Sequence, residues 1–119
     1  MAGQLFNITF SGTVMDISQI MRRLNLEERG RVQQVIDSEV LRLNDPYVPK
    51  DTGELIRSGI VNTQIGSGEV IYQTPYARRQ YYIPMNHDGK RCAYWFEQMK
   101  NEGGREKILR AARRAVGGS

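Results

Sequence analysis

The residues able to do covalent or acid–base chemistry are few and scattered. His87 is the only histidine and Cys92 the only cysteine, so the pair falls short of the three or four protein ligands that zinc sites use. Asn86-His87-Asp88-Gly89-Lys90 reads as a polar turn, where a histidine stands in water without a second group to orient it as a general base. The serines lack a partner histidine in an activating arrangement, and no glycine-rich loop followed by Lys-Ser/Thr offers a phosphate cradle. Asp45, Asp51 and Glu54 cluster in sequence, yet Asp51 and Glu54 have the three-residue spacing of a reciprocal helix cap, which uses both carboxylates without catalysis. The expectation is a protein that is not an enzyme and takes no metal or cofactor.

What remains is the chemistry of surfaces. Seven of the ten aromatic residues fall between 72 and 96: Tyr72, Tyr76, Tyr81, Tyr82, Tyr94, Trp95 and Phe96. Residues 1–74 carry 7 Lys/Arg against 9 Asp/Glu, net −2, whereas residues 75–119 carry 10 against 4, net +6. Aromatic rings beside Arg78, Arg79, Lys90 and Arg91 fit three uses: stacking on single-stranded nucleic acid, a core with hydroxyls reaching its edge, or anchors of a protein interface. Position assigns Tyr72, Trp95 and Phe96 to the core. It assigns Arg78, Arg79, Tyr81 and Tyr82 to an interface, together with His87, Lys90 and Arg91 of the following loop.

The elements that must position these residues follow from periodicity. Leu5 to Phe10 nearly alternates and is rich in β-formers, predicting a strand. Asp16, as a cap, opens a short helix in which Ile17, Ile20, Met21 and Leu24 share one face. Asn25 caps a longer helix over residues 26–43, with Glu27 and Glu28 in its first turn, Val32, Val35, Ile36, Val40 and Leu43 inside, and Arg31, Gln34, Asp37 and Arg42 outside. Pro46 and Pro49 bias their predecessors away from helix, so it should stop near Asn44. Asp51 and Glu54 then cap a short turn that Gly59 ends in a left-handed conformation. Ile60–Ile65 and Glu69–Gln73, flanking Gly66-Ser67-Gly68, predict a hairpin. Thr74-Pro75 opens a helical turn over 76–82. Arg91–Tyr94 reads as a further strand or extended segment, and Trp95–Asn101 as a helix interrupted at Gly103-Gly104. Glu106–Val116 is amphipathic, with Ile108, Leu109, Ala112 and Val116 on one face. Residues 117–119 should fray.

The stretch Pro49-Lys50-Asp51-Thr52-Gly53-Glu54-Leu55-Ile56-Arg57-Ser58-Gly59 resembles the signature "proline, any, acidic, Thr-Gly, any, Leu, any, any, Ser" of the tail-completion or minor capsid proteins of long-tailed bacteriophages. Its motif positions here are Pro49, Asp51, Thr52, Gly53, Glu54, Leu55, Ser58 and Gly59. Val70 to Tyr82, a strand followed by Pro75-Tyr76-Ala77, resembles a second block, and Trp95 to Lys100 a third. Gln80 and Tyr81 stand where many relatives place an acidic residue. The resemblance, over roughly residues 32 to 116, implies a structural virion protein at the head-to-tail junction. It implies a ring, expected to be a hexamer, between the head connector or stopper and the tail tube or tail terminator, with non-specific contact to passing DNA as a corollary. The alternative reading is a small basic nucleic-acid-binding protein.

Length and composition are compatible with both. A chain of 119 residues is expected to form one domain, 1–119, with a single modest core. Hydrophobic residues at 39% and charged residues at 25% are ordinary for a globular protein. No apolar run approaches the ~20 residues that span a bilayer, no secretory signal is legible, and one cysteine excludes an internal disulfide. The protein is therefore expected to stay in the host cytoplasm until it joins a virion, with no membrane partner. The predicted fold class is α+β: a small antiparallel sheet packed against the long helix and a C-terminal helix.

Overall fold

The computed structural model describes residues 6–11, 18–49, 53–83, 89 and 91–116. In chain order these form strand β1 (Phe6–Ser11), helices α1 (Ser18–Arg22) and α2 (Leu26–Asn44), a 3-10 turn (Asp45–Tyr47), helix α3 (Glu54–Asn62), strand β2 (Glu69–Thr74), and helices α4 (Ala77–Tyr82), α5 (Trp95–Met99) and α6 (Arg105–Val116). β1 and β2 pair antiparallel, from Phe6 opposite Thr74 to Ser11 opposite Glu69. The α+β expectation holds in that form: helices dominate, α3 lies along β2, and α6 packs on α2.

Helix α2 forms as its sequence dictates. The Asn25 side chain accepts a hydrogen bond from Glu28 N at 2.9 Å, and Asn25 N donates to Glu28 Oε1 at 3.2 Å, a complete capping box. Val32, Ile36 and Val40, four residues apart, are buried on one face. The α-helix ends at Asn44, but Pro46 does not turn the chain out of the helical region: Asp45 keeps φ −49° and ψ −47°, the 3-10 turn runs on to Tyr47, and only Val48, ahead of Pro49, is extended. Arg29 Nε ties α2 back to the carbonyls of Met21 and Leu24, both at 3.0 Å. The expected caps at Asp16 and Asp51 lie outside the described residues.

Three expectations are corrected. The hairpin over 60–74 is half helix: Ile60-Val61-Asn62 continues α3, and the partner of β2 is β1. The β-branched pair reads locally as strand, but packing decides otherwise, because α3 occupies the edge of β2 that such a strand would need. Ile71 N donates to Thr63 Oγ1 at 3.0 Å and Gln73 N to Ser58 Oγ at 3.1 Å, so outward amides of β2 are satisfied by side chains rather than by a ladder. Second, Gly59 does not end α3. It lies inside the helix, where a Cβ would fall 2.5 Å from Tyr72 Cε1; the residue is small because a ring passes over it. Third, Arg91–Tyr94 is not a strand. Cys92 N donates to Tyr47 O at 3.0 Å and Tyr94 N to Tyr81 O at 2.7 Å, two different segments, and Tyr94 turns left-handed at φ 52°.

Asp37 also departs from its expected outward place. It is buried, and its Oδ2 accepts from Gly66 N at 2.8 Å and Gly68 N at 3.0 Å, while Oδ1 accepts from Gln33 Nε2 at 2.9 Å. The carboxylate thus fastens the 64–68 turn to α2 and sets where β2 begins. Trp95, Tyr72, Ile36, Ile108, Val32 and Val48 lie at the centre of the core. As expected, a kink with non-helical backbone at Glu102 and Gly103 separates α5 from α6.

Candidate assembly surface

The central stretch turns out to be framework. Pro49, Leu55, Ser58 and Gly59 are buried, Glu54 is exposed in the first turn of α3, and Gly53 holds its N-cap at φ 78°, without a side-chain cap. Asp51 and Thr52 lie outside the described residues. The preceding 3-10 turn is clamped from the far half of the chain: Arg91 Nη1 donates to Asp45 O at 2.8 Å and Val48 O at 2.5 Å. The Tyr47 hydroxyl donates to Glu102 Oε1 at 3.0 Å; burial and this carboxylate raise its pKa above the usual tyrosine value and keep it a donor. Arg91, expected at an interface, is occupied in holding this turn.

From there a file of rings leads to the surface. Tyr72 meets Trp95 edge-on at 5.6 Å between centroids, Trp95 meets Tyr81 at 4.6 Å, and Tyr81 meets Tyr82 at 5.1 Å and Tyr94 at 5.4 Å. Tyr82 and Tyr94 close the file at 5.8 Å. Edge-to-face geometry of this kind is favourable beyond the area it buries. The inner rings are buried; Tyr82 and Tyr94 are 54% and 46% exposed. Burial pushes the hydroxyls of Tyr72 and Tyr81 above the ordinary tyrosine range, so both stay neutral at any physiological pH.

Helix α4 explains the split. Ala77 and Tyr81, four residues apart, face inward, which leaves Arg78, Arg79 and Tyr82 on the outer face. Tyr81, expected at an interface, is a core residue, and its i, i+4 spacing with Ala77 was the available signal. Sequence reasoning missed Tyr76, Ile83 and Tyr94, which are also exposed around this helix. Tyr94 is missed because its exposure follows from a left-handed backbone at a loop-to-helix junction. His87 and Lys90 lie outside the described residues.

Among the described residues, no group of three or more His, Cys, Asp or Glu could hold a metal ion, and no helix is long and apolar enough to cross a membrane. Burial, with Glu102 nearby, pushes the Cys92 thiol above its ordinary pKa, opposite to the shift that activates a nucleophile. The arrangement offers a contact surface: exposed aromatic rings beside two arginines, backed by a rigid file of rings.

The model of the minor capsid protein family matches residues 12–105. The chain belongs to this family. No significant match to a curated protein or to a solved structure accompanies it. A minor capsid protein is a viral structural protein, a component of the virion, and the family is structural rather than enzymatic. The matched span runs from before α1 to the first residue of α6 and takes in both the framework stretch and the ring file.

Proposed function

We propose that this minor capsid protein is a tail-completion component of a long-tailed bacteriophage, assembling as a sixfold ring at the neck between the head connector and the tail tube. The observation that carries the reading is the α4 surface, Arg78, Arg79 and Tyr82 with Tyr94 beside it, exposed and held by the ring file beneath. Tyr and Arg are the side chains that most often anchor protein interfaces. Rings already locked against the core lose little freedom on docking, so more of the contact energy appears as affinity. A cyclic ring needs two unlike patches, one meeting its complement on the next copy, and the α4 surface serves as one of them. The resemblance of the central motif to tail-completion proteins supports a place at the neck.

The test is a chain carrying Arg78→Ser, Arg79→Ser and Tyr82→Ser, followed by sedimentation with the adjoining virion components. The variant should stay folded, with its urea midpoint lowered only by the ring contacts of Tyr82, and lose ring assembly. Unchanged assembly would remove this surface from the interface.

A further inference from the structure

We infer that helix α6, with Arg22 at the end of α1 and Arg23 just after it, forms a ridge that grips the phosphate backbone of duplex DNA without reading its sequence. α6 carries five basic residues and one acidic residue, all exposed, while Ile108, Leu109 and Ala112 anchor its other face on the core. An open groove of about 600 Å³ along one flank is lined by Arg22, Arg23 and Arg113. A second along the other flank is lined by Lys107, Arg110 and Arg114, beside the Arg42–Glu39 pair. Among the described residues none of those six cations holds an ion pair.

A merely solvated face explains part of this. Arg113 and Arg114 sit in the last turn, where the helix dipole favours positive charge. Lys107 and Arg110 do not, and Lys107/Arg110, Arg110/Arg113 and Arg110/Arg114 are like-charged neighbours at i, i+3 or i, i+4, which weaken a helix. A polyanion laid along the ridge removes that repulsion and releases its own counterions. Five of the six are arginines, whose planar fork matches phosphate oxygens. An acidic protein is the poorer partner: protein interfaces centre on apolar and aromatic anchors, and no exposed large apolar residue of the described chain lies on α1 or α6. The ridge also differs from the basic cluster at 78–91 that the sequence brought forward; its α6 part lies, but for Arg105, beyond the family match, while Arg22 and Arg23 lie within it.

Fluorescence anisotropy of the full chain with a short labelled duplex of arbitrary sequence, titrated with KCl, reads the ridge directly. With six phosphate contacts, log affinity should fall with log salt at a slope of about −5. Lys107→Gln with Arg110→Gln and Arg114→Gln should weaken binding at least tenfold and flatten the slope by about 3. Arg22→Gln with Arg23→Gln, in a different element, should flatten it by about 2 and guards against a folding defect in α6. Arg78→Gln with Arg79→Gln should leave affinity within about twofold. Absence of binding at low salt, slopes untouched by the α6 and α1 variants, or polyglutamate displacing DNA at equal charge would overturn the proposal. The experiment uses the unassembled chain, so it stands or falls separately from ring closure.

Discussion

The framework around α3 and the surface of α4 are built from equally distinctive residues, yet they are fixed in opposite senses. Ser58, Gly59 and Asp37 each meet a specific neighbour inside the fold: an edge amide of β2, the Tyr72 ring, and the amides of the 66–68 turn. Arg78, Arg79 and Tyr82 are held by the fold but face solvent. The described residues of the Pro49–Gly59 stretch are thus largely ones the architecture uses, four of them buried, while the proposed contact surface is carried outward on that architecture. Damage to the first region should appear as lost stability, and damage to the second as lost assembly at nearly unchanged stability.

The largest effect is expected at Asp37. Asp37→Ala strands the Gly66 and Gly68 amides in a partly buried turn and should cost about 3 kcal/mol in urea unfolding; a cost near zero would mean that the turn is not fastened there. Gly59→Ala forces a Cβ against Tyr72 and should cost about 2 kcal/mol, with the near-ultraviolet dichroism of the ring file altered. Ser58→Ala removes the partner of Gln73 N and should cost about 1 kcal/mol, which hydrogen exchange at the Gln73 amide can report independently. Tyr82→Ser, on the exposed side, gives up its edge contacts with Tyr81 and Tyr94 and should cost no more than about 1 kcal/mol. Stability loss as large as that of Gly59→Ala would erase the distinction between the two regions. Smallest in consequence is Cys92. Because its thiol pKa is raised, less thiolate is present at pH 8 than in a free cysteine, so iodoacetamide should react more slowly and its rate should climb at higher pH.

Much of this was legible in the sequence where local rules and packing agree. Helix α2, its Asn25 cap and the α5–α6 break follow from periodicity, capping and glycine. A helical turn near 76–82 forms, though capped at Tyr76 rather than opened by Thr74-Pro75. Pro46 does not turn Asp45 out of the helical region, and only Val48, ahead of Pro49, obeys that steric rule. Reasoning failed where a residue far away decides. Ile60-Val61 has strand propensity and no local sign that α3 would take the edge of β2. Asp37 sits at a helix position that local polarity assigns to solvent, and only the approach of the 66–68 turn makes it interior. Tyr81 was recoverable from its spacing with Ala77, whereas the outward aim of Tyr94 depends on one positive φ.

The central claim is that the protein acts through the surface that the ring file supports. Particles produced with Tyr82→Ser and Tyr94→Asn, the latter chosen because asparagine tolerates the left-handed backbone, test it most directly by electron microscopy of the head-to-tail junction. The account predicts heads and tails left unjoined, with the purified variant still folded and unfolding cooperatively in urea, its midpoint lowered only by the ring contacts it loses. Properly joined particles carrying that same variant in place would contradict it.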